Sequence, residues 1–237
     1  MLDSGELAFE GDFGTSSQIL VAGSALVTES DHAIAFSDFT LGANSMLLLL
    51  DNNVEGNDCA VYFANAAFVD GGGIIVKGNT LITTKDAYGE ESSVCVTSVD
   101  VKNGGYIDVE NNAMNAVNGV YFFGDTTVSS AGLLRVANCT FADVPDFFDP
   151  ALVYLSGSVT LEGGAQWRVE GNNLSAASII VMPNSKHKIQ LLGSSTTVLL
   201  ANNRQVDSGK AFAKLLPLST IMASPAQFVV GCNLQGG

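Results

Sequence analysis

Three charged residues of the sequence have types and spacing suited to binding an anion. Asp108, Arg135 and Arg168 occupy the same outward position in consecutive copies of a repeated unit. Planar guanidinium groups bind carboxylate or sulfate groups through pairs of parallel hydrogen bonds. An Asp–Arg–Arg column therefore predicts a binding site for an acidic sugar or a sulfate. The alternative is a set of salt bridges, in which Asp108 pairs with Arg135, and Arg168 pairs with Glu170 or stays solvated.

Metal chemistry is indicated only by one acidic segment. Asp143, Asp146 and Asp149 cluster there and predict an acidic rim or a weak Ca²⁺ site, although their spacing differs from that of a calcium-binding loop. The alternative is a solvated loop in which these aspartates cap turns. The two histidines, His32 and His187, lie far apart in sequence. We therefore expect no bound metal or other cofactor.

The four cysteines form no CxxC pair and have no regular spacing: Cys59, Cys95, Cys139 and Cys232. Such cysteines are expected to be buried free thiols. The single tryptophan, Trp167, has the ring of a sugar-stacking platform, but its column is otherwise aliphatic or Phe, which predicts a core position. Asn138 and Asn173 begin acceptor patterns for N-glycosylation and stand at predicted corners, where exposure is expected.

A repeated strand and corner must position these residues. The unit Gln166-Trp-Arg-Val-Glu-Gly-Asn-Asn-Leu174 aligns with six other segments, and the repeat is about 30 residues long, which is typical of a solenoid. The six segments are Leu48–Val54, Ile74–Thr80, Ile107–Ala113, Leu134–Thr140, Val198–Arg204 and Phe228–Leu234. The last corner residue of each copy is predicted at Asn53, Asn79, Asn112, Cys139, Asn172, Asn203 and Asn233.

Two columns of the repeat are wholly apolar and lie two residues apart, which is the period of a β-strand. They contain Leu48, Ile74, Ile107, Leu134, Trp167, Val198 and Phe228, and Leu50, Val76, Val109, Val136, Val169, Leu200 and Val230. The residue before the last corner position is Gly or Asn in most copies, which favours a left-handed backbone at a sharp turn. Stacked corner asparagines are then expected to form a ladder of amide hydrogen bonds.

The sequence therefore predicts an all-β fold: a right-handed, single-stranded parallel β-helix with about 30 residues and three short strands per coil. We expect residues 1–237 to form a single domain, with an irregular opening coil at 1–44 and regular coils at 45–235. Longer segments at Thr83–Ser92, Ala142–Pro150 and Ser208–Leu216 follow the Asn corner. They are expected to leave the solenoid at one edge, where recognition would take place.

The composition of the chain limits the classes of partner that it is expected to bind. The chain has 237 residues, a formal net charge of −14 and 14% charged residues. The negative charge argues against nucleic acid or an anionic membrane as the main partner. No apolar run reaches the length of a membrane span, and the first residues lack the features of a signal peptide. The last copy ends close to Gly237 without a polar cap, so we expect a fragment of a longer array, and end-to-end self-association through uncapped coils.

The corners Val76-Lys-Gly-Asn-Thr-Leu81 and Val169-Glu-Gly-Asn-Asn-Leu174, each with a Gly-Gly pair before the strand, carry a resemblance to a known family. They resemble the dispersed gene family surface proteins of trypanosomes and other kinetoplastids, and the pectin-lyase-like parallel β-helix superfamily. The resemblance implies a large, glycosylated surface or secreted protein with a role in adhesion to host matrix. It implies no catalytic residue.

Together, these features predict a non-enzymatic structural and adhesive module at the cell surface or outside the cell. Its expected partners are carbohydrate or an extracellular host protein. The alternative is a carbohydrate-active enzyme, a polysaccharide lyase or a glycoside hydrolase, which would need paired carboxylates, or bound Ca²⁺ with an Arg base, on one face.

Overall fold

The computed structural model describes residues 6–64, 68–84, 91–143, 150–175, 177–184, 186–206, 211, 213–215, 220–222 and 226–235. These residues form β-strands joined by short connections, and they contain no helix. Every strand pairing in this part of the chain is parallel. The expected all-β class with parallel strands is confirmed.

The strands in chain order are β1 (Leu7–Asp12), β2 (Gln18–Ala22), β3 (Ala25–Val27), β4 (His32–Leu41), β5 (Met46–Leu50), β6 (Asn53–Gly56), β7 (Cys59–Ala64), β8 (Phe68–Asp70), β9 (Gly73–Lys77), β10 (Thr80–Thr83), β11 (Ser92–Thr97), β12 (Asp100–Lys102), β13 (Tyr106–Glu110), β14 (Ala113–Ala116), β15 (Asn118–Phe123), β16 (Thr126–Val128), β17 (Leu133–Ala137), β18 (Thr140–Asp143), β19 (Ala151–Leu155), β20 (Val159–Glu162), β21 (Gln166–Glu170), β22 (Asn173–Leu174), β23 (Ser178–Met182), β24 (Ile189–Leu192), β25 (Thr197–Ala201), β26 (Arg204–Gln205), β27 (Ala213–Leu215), β28 (Thr220–Met222), β29 (Gln227–Gly231) and β30 (Leu234–Gln235).

These strands form three long sheets, an arrangement that fits a parallel β-solenoid. Sheet 1 runs β27-β23-β19-β15-β11-β7-β4-β8-β12-β16-β20-β24-β28, and β1 also pairs with β4. Sheet 2 runs β2-β5-β9-β13-β17-β21-β25-β29, and sheet 3 runs β3-β6-β10-β14-β18-β22-β26-β30. The chain therefore visits sheets 2, 3 and 1 in turn and returns to sheet 2 beside its previous strand. A regular coil such as β13–β16 has four short strands instead of the predicted three, because the chain forms two strands in sheet 1 before it returns to sheet 2.

The core lies between the sheets and is lined by inward side chains of all three, including the alternating columns of sheet 2. Val76, Val109, Val136 and Val169 are paired in register on consecutive strands, and each is at most 2% exposed. Trp167 lies in the neighbouring inward column at 0% exposure and packs edge to face against Phe122, so its predicted core position is confirmed. Like side chains thus stack on like along the solenoid axis.

The corner between sheets 2 and 3 has the same length in all eight places where it occurs in the described chain. Two residues separate the strands each time, and the first of them has a positive φ: Gly23, Asp51, Gly78, Asn111, Asn138, Gly171, Asn202 and Cys232. The second residue points inward and carries the ladder. Asn79 Oδ1 accepts from the backbone N–H of Asn52 at 2.9 Å, and Asn112 Oδ1 accepts from that of Asn79 at 2.9 Å. The ladder continues through Asn172, Asn203 and Asn233.

The register predicted for the first copy is wrong by one residue. Asn52, which is 2% exposed, lies in the ladder, whereas the predicted corner residue Asn53 is exposed and begins β6. In the same way Leu47 and Leu49 point into the core instead of the predicted Leu48 and Leu50. The other predicted corner residues, Asn79, Asn112, Cys139, Asn172, Asn203 and Asn233, pair as consecutive positions of one column.

The opening of the chain is more regular than the sequence predicts. Strand β2 pairs with β5 over its full length, and β3 pairs with β6. Ser24 takes the ladder position, where its backbone N–H donates to Asn52 Oδ1 at 3.0 Å. The expected irregular coil at 1–44 is therefore corrected for residues 18–27, because Gly23 and Ser24 form the same corner as the later coils.

The connections from sheet 3 to sheet 1 vary in length. The strands that flank the predicted loops Thr83–Ser92 and Ala142–Pro150 are β10 and β11, and β18 and β19, so both segments connect sheet 3 to sheet 1. The segment Ser208–Leu216 lies largely outside the described residues. The ends of the first two segments therefore lie at this one edge, whereas the third segment includes β27 of sheet 1.

Candidate functional site

The predicted column of Asp108, Arg135 and Arg168 exists on the outer face of sheet 2. The three residues are aligned on β13, β17 and β21. Arg135 Nη1 donates to Asp108 Oδ2 at 2.9 Å and to Glu110 Oε2 at 2.9 Å, and its Nε donates to Glu170 Oε1 at 3.1 Å. Arg135 is therefore bound by three carboxylates from the two strands on either side of its own, β13 and β21.

The rest of this network balances its charge. Arg168 Nη2 lies 2.8 Å from Glu170 Oε2, and Lys77 Nζ lies 2.6 Å from Glu110 Oε1. Three cations thus meet three carboxylates, and the described cluster has no excess positive charge to attract an anion. The salt bridges expected as the alternative are present, because Glu110 and Glu170 bind the guanidinium groups. An acidic-sugar or sulfate site at Asp108, Arg135 and Arg168 stays a prediction.

The network shifts the ionisation of its members. Burial disfavours the charged form of Arg135, but hydrogen bonds to Glu170 and the charge of Asp108 outweigh it and raise the arginine pKa. Burial also opposes the charge of Glu170, yet hydrogen bonds from Arg135 and Arg168 lower its pKa. A hydrogen bond from Lys77 lowers the pKa of Glu110. For Asp108, burial prevails over the charge of Arg135 and raises the pKa.

The other predicted site residues lie at corners and at the loop edge. Asn138 and Asn173 are both exposed, as the glycosylation hypothesis requires. Asp143 is the last residue of β18, and Asp146 and Asp149 lie outside the described residues. The acidic-rim or Ca²⁺ hypothesis therefore stays a prediction.

A pocket that sequence reasoning missed opens on the outer face of sheet 1. It has a volume of about 180 Å³ and extends across four neighbouring strands, β4, β7, β11 and β15. Its lining residues are His32, Asp58, Cys59, Tyr62, Cys95, Thr97, Tyr121 and Phe123. Aromatic rings thus form much of the wall of an open pocket on a rigid sheet.

The positions of these rings follow from strand register. Tyr62, Cys95, Tyr121 and Tyr154 are aligned on consecutive strands, on the face opposite the core. Tyr121 is only 6% exposed and contacts Phe123 and Tyr154 edge to face, while Phe123 is 51% exposed at the rim. The pocket therefore has one buried ring and one open ring side by side.

A disulfide bond between Cys59 and Cys95 lies in the pocket wall. It joins β7 to β11, and the two Cα atoms are 6.0 Å apart, which is within the usual range for a disulfide. The expectation of free thiols is thus wrong for these two cysteines and right for Cys139, which is buried; Cys232 is free but exposed. The two bonded cysteines are 36 residues apart, so only the winding of the chain brings them together.

His32 lies beside this disulfide and stacks on Tyr62 with ring centroids 4.1 Å apart. One donor atom each from His32, Asp58 and Cys59 lie within 4.8 Å of one another. While Cys59 is bonded to Cys95, its sulfur is no metal ligand. His32 Nδ1 and Thr97 Oγ1 are buried polar atoms without a hydrogen-bond partner among the described residues.

Aligning the strands of sheet 1 in the sequence would have placed Cys59 and Cys95 on neighbouring strands. That alignment is hard to see because this outer column changes from Tyr to Cys to Tyr between coils. None of the described residues forms a helix that is long and apolar enough to cross a membrane. Comparisons of this chain with family models, with curated proteins and with solved structures find no match.

Proposed function

We propose that this chain is a non-enzymatic structural and adhesive module that acts at the cell surface or outside the cell. Its solenoid is a right-handed, single-stranded parallel β-helix with about 30 residues per coil. Parentage in the kinetoplastid dispersed gene family, with glycosylation at Asn138 and Asn173, is part of this proposal. The repeated Gly-Asn corners and the exposure of both asparagines support it.

The disulfide supports an oxidising location. Disulfides persist outside the cell and in secretory compartments and are rare in the cytosol. Cys59–Cys95 links neighbouring strands of sheet 1, where it stiffens the surface that carries the pocket. A stiff, cross-linked face suits a binding module because little order has to be imposed when a ligand binds.

The pocket is the single observation that carries the binding proposal. Tyr62, Tyr121 and Phe123 offer apolar ring faces, and His32 and Thr97 each contribute a buried polar atom without a described partner. A sugar ring has both an apolar face and hydroxyl groups, so it can stack on an aromatic ring and hydrogen-bond to these atoms. We therefore assign carbohydrate binding to this pocket in preference to the neutral charge network on sheet 2.

Glycan-array binding tests the proposal. The wild-type chain is expected to bind a subset of glycans, and Phe123→Ala is expected to weaken that binding. Leu20→Ala is the matched control, because Leu20 is similarly exposed, at 56% against 51% for Phe123, but lies in β2, away from the pocket. Equal binding by all three proteins would remove the pocket from the proposal, and no binding by the wild type would reject the glycan as partner.

The enzyme alternative is tested in the same samples. Pectin and glycosaminoglycan are incubated with the wild-type chain, and the products are separated by size. Binding without release of oligosaccharides is the expected result for an adhesive module. Depolymerised product would overturn the non-enzymatic proposal and favour a polysaccharide lyase or a glycoside hydrolase.

A further inference from the structure

We propose that the pocket on sheet 1 becomes a zinc-binding site when the Cys59–Cys95 disulfide is reduced, with Cys59, Cys95, His32 and Asp58 as the four ligands. In the oxidised protein the two sulfurs are bonded to each other and are closed to metal. Reduction adds two thiol ligands to the imidazole and the carboxylate that already lie beside them. This inference does not rest on carbohydrate binding, although it concerns the same pocket and the same His32 side chain.

The distances allow the four donors to meet one ion. His32, Asp58 and Cys59 each offer a ligand atom, and these atoms lie within 4.8 Å of one another. Cys95 is brought to the same place by the disulfide. Zinc bonds of about 2.0–2.3 Å in a tetrahedral arrangement place neighbouring donors roughly 3.3–3.8 Å apart. Small side-chain rotations are therefore sufficient, and the backbone can stay in place.

Backbone hydrogen bonds of sheet 1 and of the turn before β7 hold the four ligand residues in place. The N–H groups of Asp58 and Cys59 both donate to Asp31 O, at 2.8 and 3.0 Å. His32 and Cys59 are aligned on β4 and β7, and Cys95 lies on the next strand, β11. A site built on such strands is arranged before the metal arrives, which favours tight binding.

His32 is suited to the role of ligand. Its Nδ1 has no hydrogen-bond partner among the described residues, and its ring is fixed by stacking on Tyr62 at 4.1 Å. Neutral imidazole, carboxylate and thiolate are all zinc ligands, and thiolates favour zinc over magnesium or calcium. The open pocket gives the ion an entry path, and the net charge of −14 favours approach of a cation.

The chemistry balances in two steps. A dithiol reductant transfers two electrons and two protons to the disulfide, so that the S–S bond breaks, two cysteine thiols form and the reductant becomes a disulfide. Zn²⁺ then displaces the two thiol protons to solvent and forms two Zn–S bonds, while His32 and Asp58 supply the remaining bonds. Reoxidation by a disulfide oxidant transfers the two thiolate electrons to that oxidant, which takes up two protons from solvent and becomes a dithiol; the Cys59–Cys95 bond re-forms and the ion is released.

Anaerobic titration with Co²⁺, a spectroscopic substitute for zinc, tests this proposal. The Cys232→Ser protein is used throughout, because Cys232 is the exposed free cysteine and Cys139 is buried. After reduction by a dithiol and removal of the reductant, we expect one equivalent of Co²⁺ to produce thiolate charge-transfer and tetrahedral d–d bands. Zn²⁺ should abolish these bands, and the oxidised protein should not produce them.

Variants identify the ligands. Cys59→Ser and Cys95→Ser should each reduce the charge-transfer band by about half or more, because one of the two thiolate ligands is lost. His32→Phe, which keeps a ring on Tyr62, and Asp58→Asn should each weaken metal binding by more than about tenfold. Asp31→Asn is the matched control, because Asp31 is an exposed neighbouring acid whose backbone, not its carboxylate, holds the site; it should bind like the parent.

Reduction of the Cys59–Cys95 disulfide could itself destabilise sheet 1, so the melting temperature is measured as a second test of metal binding. Because metal binding adds to the stability of the folded state, zinc should raise the melting temperature of the reduced protein and leave that of the oxidised protein unchanged. The proposal is overturned if the reduced protein takes up no more Co²⁺ than Cys59→Ser. It is overturned equally if His32→Phe and Asp58→Asn bind as tightly as the parent, since the thiols would then bind alone.

Discussion

The side-chain oxygen of Asn79 accepts two hydrogen bonds from Asn52, one from its backbone N–H at 2.9 Å and one from its side-chain amide at 3.0 Å. Asn79 in turn donates to Asn112 Oδ1 through the same two groups, and its amide also donates to Leu49 O at 2.9 Å. Each buried asparagine thus satisfies backbone groups of the coils on both sides.

Asn79→Ala tests the importance of this ladder. The substitution leaves the N–H of Asn52 and the carbonyl of Leu49 without these partners in a buried corner, so we expect the free energy of unfolding to fall by about 3 kcal/mol. Asn53→Ala is the control, because Asn53 is exposed and outside the ladder, and should change stability by less than about 0.5 kcal/mol. Urea denaturation measures both. A larger loss for Asn53→Ala would contradict the register described above.

Cys139 is the one described interruption between Asn112 and Asn172. Burial raises the pKa of its thiol to about 11, against the weaker effect of hydrogen bonds from Asn112. Its backbone N–H donates to Asn172 Oδ1 at 2.9 Å, as in an ordinary rung. Cys139→Asn should complete the ladder and raise the free energy of unfolding by about 1 kcal/mol, because an amide oxygen accepts hydrogen bonds better than sulfur. A decrease in stability would show that the corner cannot hold the larger side chain.

Gly73 lies under the ring of Tyr106 on the outer face of sheet 2. A Cβ atom at position 73 would be only 2.2 Å from Tyr106 Cζ, so the ring would have to leave its place beside Met46. Gly73→Ala should lower the free energy of unfolding by about 1 kcal/mol in the wild type and by nothing in a Tyr106→Ala background. A double-mutant cycle measures this coupling, and additive effects would contradict it.

The charge network predicts a pH dependence of stability. The pKa values of Glu110 and Glu170 are lowered from 4.5 in the folded protein, so their contribution is present above that value and is lost as pH falls through the lowered folded values. The raised pKa of Asp108 has the opposite effect: its ionised form lowers the free energy of unfolding at neutral pH, and this loss is relieved as the pH falls and the carboxyl is protonated. The double variant Glu110→Gln, Glu170→Gln should lose less of its free energy of unfolding between neutral pH and pH 3 than the wild type does. Urea denaturation at several pH values measures this difference. Parallel curves would contradict the assignment.

The sequence predicted sheet 2 and its corner because the same residue types recur in each coil. The first copy was misplaced because Met46–Leu50 is continuously apolar and shows no alternation, while Asp51, Asn52 and Asn53 all suit a corner. The structure resolves this choice by the positive φ of Asp51 and the burial of Asn52.

The pocket could not be predicted in the same way. Most of its residues belong to sheet 1, where Cys95 interrupts an outer column of tyrosines and the remaining pocket positions differ from coil to coil. His32, Cys59 and Cys95 acquire a common site only through the winding of three coils. The chemistry of the pocket depends on residues that differ between coils, whereas the fold is predicted from residue types that recur in every coil.

The eight two-residue corners contrast with the connections from sheet 3 to sheet 1, which range from a single residue between β14 and β15 to the longer segment between β10 and β11. An insertion at the corners would displace a buried amide, whereas one at the opposite edge adds chain outside the stacked strands. Insertions and substitutions at this edge can therefore change the surface that other molecules contact, while the stacked strands and their corners stay the same. The same separation makes the edge a natural place to graft foreign peptide sequences.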